Sequence, residues 1–238
     1  MKFDEIVRLF ADKDWFDFEM VLLMSGEDAA CIHTELYRWR QGGKLIELRR
    51  GMFTLAEPWR KGSLVGEEGA GLAAALAGPI YAPSYLSGRW VLERHGVMAK
   101  LGDGEARGGG NGTPRPEFTS VTARPAKVFE NSFGRYSYAT FPRDLLFGTK
   151  TEVLGGRPVR VALPEKALLD YWFMEGGEWD EGRIEAARLS PRGLSSGRGN
   201  KSDLGGEPLD VGRLEGFAAR AGRPRLARAT GAFLRASL

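Results

Sequence analysis

Between Leu36 and Phe53 the cations Arg38, Arg40, Lys44, Arg49 and Arg50 stand against a single acid, Glu47. Guanidinium and ammonium groups at this density neutralise phosphates, and binding of that kind weakens steeply with salt. The residues ahead of them, 1–35, are acid-rich, so charge is polarised towards this stretch. Arg38 and Gln41 can each contact a base edge through two hydrogen bonds, and Thr34 can contact a base or a phosphate. Tyr37 falls beside them. Arg40, Lys44, Arg49 and Arg50 supply charge for the backbone, with Arg49 and Arg50 reaching a phosphate or the minor groove. The chemistry these residues could do is recognition of double-stranded DNA. The competing reading is that the arginines only keep a small domain soluble, or that the module binds protein.

Other patterns point to chemistry less well. Cys31 and His33 are two apart, so a helix would not put them on one face. Only one further histidine, His95, exists to help complete a zinc site. "GDGEARGGG" is glycine-rich, but it lacks the preceding strand, the following helix and the GKS/T ending of a phosphate loop. There is no GxSxG. Glu165, Lys166 and Asp170 would suit a metal nuclease if they converged from strands, but they sit early on one predicted helix, where starting and packing that helix is the simpler role. The expectation is a protein that is not an enzyme and needs no cofactor or metal. A nuclease is the rival that Glu165→Ala or Asp170→Ala would expose. From Phe217 onward Arg220, Arg223, Arg225, Arg228 and Arg235 occur without an acid. They form either a solvated face or a second nucleic-acid or partner contact.

The DNA-reading residues need elements to hold them. Phe3, Ile6, Val7 and Phe10 recur at helical spacing, which predicts a helix over 3–11. Asp17 caps a second helix ended by Gly26, and Asp28 a third that stops at Gly42-Gly43. Ile32, Leu36 and Trp39 share one face of the third helix, leaving Ala30, Thr34, Tyr37, Arg38 and Gln41 on the other. "KLIEL" and "GMFTL" then make a hairpin turning at Gly51. Two helices joined tightly, then a hairpin, is the order of a winged helix-turn-helix. "AEPWRKGS" reads as a linker, with Pro58 and Gly62 as breakers.

The remainder has α+β texture. "EEGAGLAAALAG", "SGRWVLERHG", "PEKALLDYWFME", "DVGRLEGFAARAG" and "PRLARATGAFLRA" predict helices. "FTSVTA", "AKVFEN" and "GRYSYAT" predict a meander, and "RPVRVAL" a further strand. Thr119, Ser120, Thr122, Arg124 and Lys127 give a polar, partly basic strand face, expected as solvated surface, with a resting place for a partner or a DNA backbone as the alternative. Residues 102–116 and 190–208 are Gly- and Pro-rich and read as loops. With 238 residues, a net charge of +3 and one cysteine, the chain has enough apolar residues for a core and cannot form an intrachain disulfide. No apolar run approaches the roughly 20 residues of a membrane helix, and the first residues show no signal-peptide pattern. A cytoplasmic protein that does not enter membranes is expected.

Beyond the residues themselves, the sequence resembles the AbiEi-type antitoxins of bacterial (type IV) toxin–antitoxin systems. The resemblance rests on "LYRWRQGGKLIELRRGMFTL" and, more diagnostically, on three blocks in order: "YAPSYLSGRWVLERHGV", "FTSVTARPAKVFENSFGRYSYATFP" and "VALPEKALLDYW". It implies a DNA-binding domain over 1–60 that represses its own operon. The residues from 66 to 238 read as an α+β domain with a mainly antiparallel sheet, and the resemblance implies that this domain opposes a nucleotidyltransferase-like toxin. The alternatives are a protein-interaction module and a stand-alone winged-helix regulator without a toxin.

Overall fold

The computed structural model describes residues 1–99, 115–189 and 209–236, with the backbone of 194–195. Nearly all of the two glycine-rich stretches read as loops lies outside the described residues.

Helix α1 (Phe3–Phe10) buries Ile6 and Phe10 completely. A short strand, β1 (Phe16–Asp17), leads into α2 (Phe18–Ser25). The Asp17 carboxylate accepts the Met20 amide at 2.9 Å, and Gly26 ends the helix at φ 66°, where a side chain would be strained. Asp28 caps α3 (Ala29–Gln41) by accepting the Ala30 amide at 3.0 Å. The hairpin follows as β2 (Leu45–Arg49) and β3 (Met52–Leu55), and with β1 it forms an antiparallel sheet in the order β1-β3-β2. Ile32, Leu36 and Trp39 of α3 pack on Ile6, Phe10 and Phe16 in one apolar cluster.

The second part begins with α4 (Gly66–Ile80), β4 (Ser84–Leu86) and α5 (Arg89–Arg94). Strands β5 (Glu117–Thr122), β6 (Lys127–Asn131), β7 (Gly134–Thr140), β8 (Thr149–Leu154) and β9 (Arg157–Ala162) come next. After them run α6 (Pro164–Glu175) and α7 (Glu181–Ala186). The paired β10 (Leu194–Ser195) and β11 (Leu209–Asp210) precede α8 (Val211–Ala221) and α9 (Pro224–Arg235). The protein is α+β, as expected.

The expected meander is corrected, and the mainly antiparallel sheet holds in part, with three antiparallel and two parallel pairs. Six strands run in the order β6-β7-β5-β4-β9-β8, and the sheet is mixed. β7 inserts between β5 and β6 and runs parallel to β5, and β4 runs parallel to β9. Tyr136 and Tyr138 account for the central place of β7: both rings are buried, and their hydroxyls donate to the Ala73 and Ala77 carbonyls of α4 at 2.9 and 2.6 Å. The polar strand face is corrected too. Ser120 and Thr122 are buried, and Thr122 Oγ1 donates to the Pro83 carbonyl at 2.7 Å. Strand β5 has neighbours on both sides, so the Thr119 and Thr122 hydroxyls serve backbone carbonyls rather than water.

The first sixty residues are docked on the second part. Leu48 and Met52 of the hairpin belong to the apolar cluster that holds Leu72, Tyr136 and Tyr138. Asn131 Nδ2 donates to the Leu48 carbonyl at 3.0 Å. The Asp14 carboxylate accepts Arg157 Nε at 2.7 Å and pairs with Arg60 at 3.6 Å. The stretch read as a linker is itself packed: Trp59 meets Phe3 edge-on, and buried Arg60 donates to Thr54 Oγ1 at 3.0 Å. Among the described residues no helix is long and apolar enough to cross a membrane.

Candidate nucleic-acid interface

Helix α3 divides into two faces. Ile32, Leu36 and Trp39 are buried, whereas Ala30, Thr34, Tyr37, Arg38 and Gln41 are exposed. Trp39 fixes this rotation, since its ring meets Phe3 edge-on at 5.3 Å. Thr34 donates its hydroxyl proton to the Ala30 carbonyl at 2.9 Å, leaving its oxygen free to accept. Tyr37 is 59% exposed, which is far from the burial such a ring usually finds. Arg38 pairs with Glu35 at 2.9 Å, but its side chain remains 67% exposed. An exposed pair at this spacing is worth about 0.3–0.5 kcal/mol, so an incoming anion or base edge can displace it.

The other basic residues are placed differently. Arg40 is half-buried, pairs with Glu47 and sits 5.5 Å from the Tyr37 ring centre. Lys44 lies 4.5 Å above Phe3 and is half-buried. Arg49 is half-buried, and its Nε is buried without a hydrogen-bond partner. Its charge acts on Tyr138 of the second part. Burial pushes that phenol up, with Tyr136 adding to the rise and Arg49 opposing it. Arg50 is exposed beside the turn at Gly51. The fold therefore gathers Thr34, Tyr37, Arg38 and Gln41 on one open face, with Arg50 on the hairpin. It draws Arg40, Lys44 and Arg49 into contacts within the chain.

Sequence reading placed His33 beside this face and missed only what it touches. His33 is exposed and stacks on Phe18 at 4.1 Å between ring centres and 15° between planes. Nothing in local spacing signals a contact between the start of α2 and the second turn of α3. Cys31 is exposed and free. Among the described residues, no group of three or more His, Cys, Asp or Glu could hold a metal ion.

The second part has a buried polar centre. Glu165, Lys166 and Asp170 are each at most 1% exposed. Lys166 Nζ pairs with Asp170 Oδ1, and Asp170 Oδ2 accepts Ser87 Oγ at 2.6 Å and Tyr85 Oη at 3.2 Å. Burial lowers the Lys166 ammonium below its ordinary range, against the pull of Asp170. Burial likewise raises Asp170, against Lys166, Ser87 and Tyr85. Glu165 faces elsewhere: it accepts the Asp210 amide at 2.7 Å and lies 3.4 Å from Arg213. These three residues pin α6 to β4 and to the start of α8.

The arginines near the end of the chain are also held within it. Arg223 pairs with Asp144 at 2.8 Å, Arg228 with Glu178 at 2.5 Å and Arg235 with Glu181 at 3.0 Å. Arg220 lies 4.2 Å from the Phe147 ring centre, and Arg225 donates to the Phe173 carbonyl at 3.3 Å. What sequence alone presented as an uncompensated basic face is a set of clasps from α8 and α9 to α6, to the start of α7 and to the connection between β7 and β8.

No protein-family model matches the chain, and no curated protein matches it.

Proposed function

We propose that residues 1–60 are a winged helix-turn-helix that binds double-stranded DNA, with α3 entering the major groove. The observation that carries this is the exposed face of α3. Thr34, Tyr37, Arg38 and Gln41 point outward while Ile32, Leu36 and Trp39 anchor the opposite side. Arg38 and Gln41 read base edges, Thr34 a base or phosphate, and Arg50 holds the backbone from the hairpin. Arg40 and Lys44 assist once their weak internal contacts yield. The resemblance to AbiEi-type antitoxins extends the proposal. The DNA is then the operator upstream of its own operon, and the second part opposes a nucleotidyltransferase-like toxin. That extension rests on the resemblance alone.

Fluorescence anisotropy tests the DNA half, using the duplex just upstream of the gene against a scrambled duplex at two salt concentrations. Tighter, salt-sensitive binding to the upstream duplex is the expected result. Equal weak binding to both, or none, overturns it. A second reading, a protein-interaction module, draws on a different surface. Leu23 and Met24 of α2 are 86% and 50% exposed beside Glu27 and Asp28, an apolar and acidic edge that suits protein better than phosphate. A stable complex with the neighbouring gene's product, with indifference to DNA, would favour it.

A further inference from the structure

In the second part, many cations are neutralised in place. Arg89 pairs with Glu93, Arg135 with Glu117 and Glu130, Arg157 with Asp14, and Arg213 with Glu165. Arg124 and Lys127 stand outside such pairs, as do Arg160 and Arg220. The first two are exposed, and neither has a carboxylate within 4.0 Å among the described residues. Nor are they loose. The Arg124 guanidinium sits 4.1 Å from the Tyr81 ring centre and donates to the Ala82 carbonyl at 2.7 Å. Lys127 Nζ lies 5.1 Å from the Phe129 ring centre and 5.9 Å from that of Tyr81. Cations held over aromatic faces lose little freedom when an anion arrives, which favours binding.

Their place on the fold suggests the anion. Lys127 opens β6, and the other end of β6 is Asn131, whose side chain holds the Leu48 carbonyl of the hairpin. At about 3.3 Å per residue, β6 carries Lys127 roughly 13 Å from that contact, or about four base pairs of duplex at about 3.4 Å each. We infer that Arg124 and Lys127 form a second phosphate-binding site, which grips the backbone of the duplex read by α3 beyond the hairpin. The site rests on the DNA-binding reading and adds a prediction of its own: the footprint extends past the winged helix onto the sheet of the second part.

The test measures salt dependence of anisotropy for the wild type and for an Arg124→Gln/Lys127→Gln double variant. Two duplexes are used: one of about 36 base pairs from upstream of the gene, and one trimmed to about 12, about 40 Å long. With the long duplex, the slope of log affinity against log salt should fall by about 1.8 in the double variant, at about 0.9 for each phosphate no longer neutralised. With the trimmed duplex the two proteins should have the same slope. A charge-retaining Arg124→Lys/Lys127→Arg variant should keep the wild-type slope on both, which separates removal of charge from a disturbed fold. An unchanged slope on the long duplex overturns the second site. If Arg38→Ala still weakens binding in that case, the DNA reading stands without it. A wild type that binds neither duplex overturns both. A slope that drops equally on both duplexes overturns the site beyond the hairpin, and retention of an acidic protein with no duplex binding would reassign the two cations to that partner.

Discussion

Replacing Lys166 by Met should make the stability of this protein depend on pH in a direction set by Asp170. In the wild type the Asp170 carboxylate has three donors: Lys166 Nζ, Ser87 Oγ at 2.6 Å and Tyr85 Oη at 3.2 Å. Methionine fills nearly the same volume, so packing against Phe147 and Phe141 survives and only the charge is removed. Removing one partner of a buried pair typically destabilises by about 3–5 kcal/mol. The two hydroxyl donors keep the expected value near the lower figure. Asp170 can also escape by taking up a proton, because burial already raises it. An acid raised in the folded state adds stability below its unfolded value of about 3.9 and loses it as pH rises through the folded value. Over that window stability should change by about 1.4 kcal/mol per pH unit, so Lys166→Met should recover on acidification. Asp170→Asn should do the opposite. It strands an ammonium that burial lowers, so its deficit should shrink as pH rises towards the ordinary lysine range. Urea unfolding followed by tryptophan fluorescence at pH 5 to 9 reads both slopes, since Trp172 is fully buried on the same helix. Losses below about 1 kcal/mol with no opposing pH trends would refute the reasoning, because the pair would then be behaving as a solvated one.

Three further outcomes are expected. Gly71→Ala should cost about 1–3 kcal/mol as overpacking, measured by thermal or urea unfolding, because a Cβ there would meet the Gly155 Cα at 2.5 Å, with backbone on both sides. Arg38→Ala should reduce discrimination between the upstream and scrambled duplexes by about 1–3 kcal/mol, while Arg50→Ala should weaken both alike and lower the salt slope by about 1, both read by anisotropy. Glu178→Gln should lower the melting temperature slightly at pH 7 and not at pH 3, because the hydrogen bond from Arg228 holds Glu178 below its ordinary range. A depressed carboxylate adds stability above its unfolded value of about 4.3 and loses it as pH falls.

Local signals placed most elements and half of the candidate site. Asp17, Asp28 and Gly26 mark helix ends through their own backbone chemistry, so neighbours in sequence suffice to find them. The outward face of α3 was legible because Ile32, Leu36 and Trp39 recur at helical spacing and Trp39 can sit only inward. Strand order was not legible. Alternation along β5 and β7 is the same whether two strands run parallel or antiparallel, and the buried tyrosines that place β7 are anchored on α4, some sixty residues earlier. The packed state of residues 56–63 was hidden for a similar reason. The proline and glycine there do interrupt regular structure, but Arg60 is held through Asp14, whose other partner, Arg157, is 143 residues away along the chain.

The fate of the arginines follows one physical rule. A guanidinium beside a carboxylate carries a compensating charge with it, and one over an aromatic ring does not. In sequence, the strongest basic signals were the hairpin pair and the tail. In the fold, Arg49 turns inward and the tail closes on Asp144, Glu178 and Glu181. Docking of the hairpin accounts for the first change. Leu48 and Met52 must face the sheet to be buried, and Arg49, between Leu48 and the turn, is half-buried with them. That same docking sets β6 next to the hairpin, where Arg124 and Lys127 remain uncompensated. Exposed cations thus remain at Arg50 on the hairpin and at Arg124 and Lys127 near the start of β6. Under the proposed DNA reading, the backbone contact that a free hairpin would make through Arg49 falls to Arg124 and Lys127, and this is why the two halves should be tested together on DNA rather than as separate fragments.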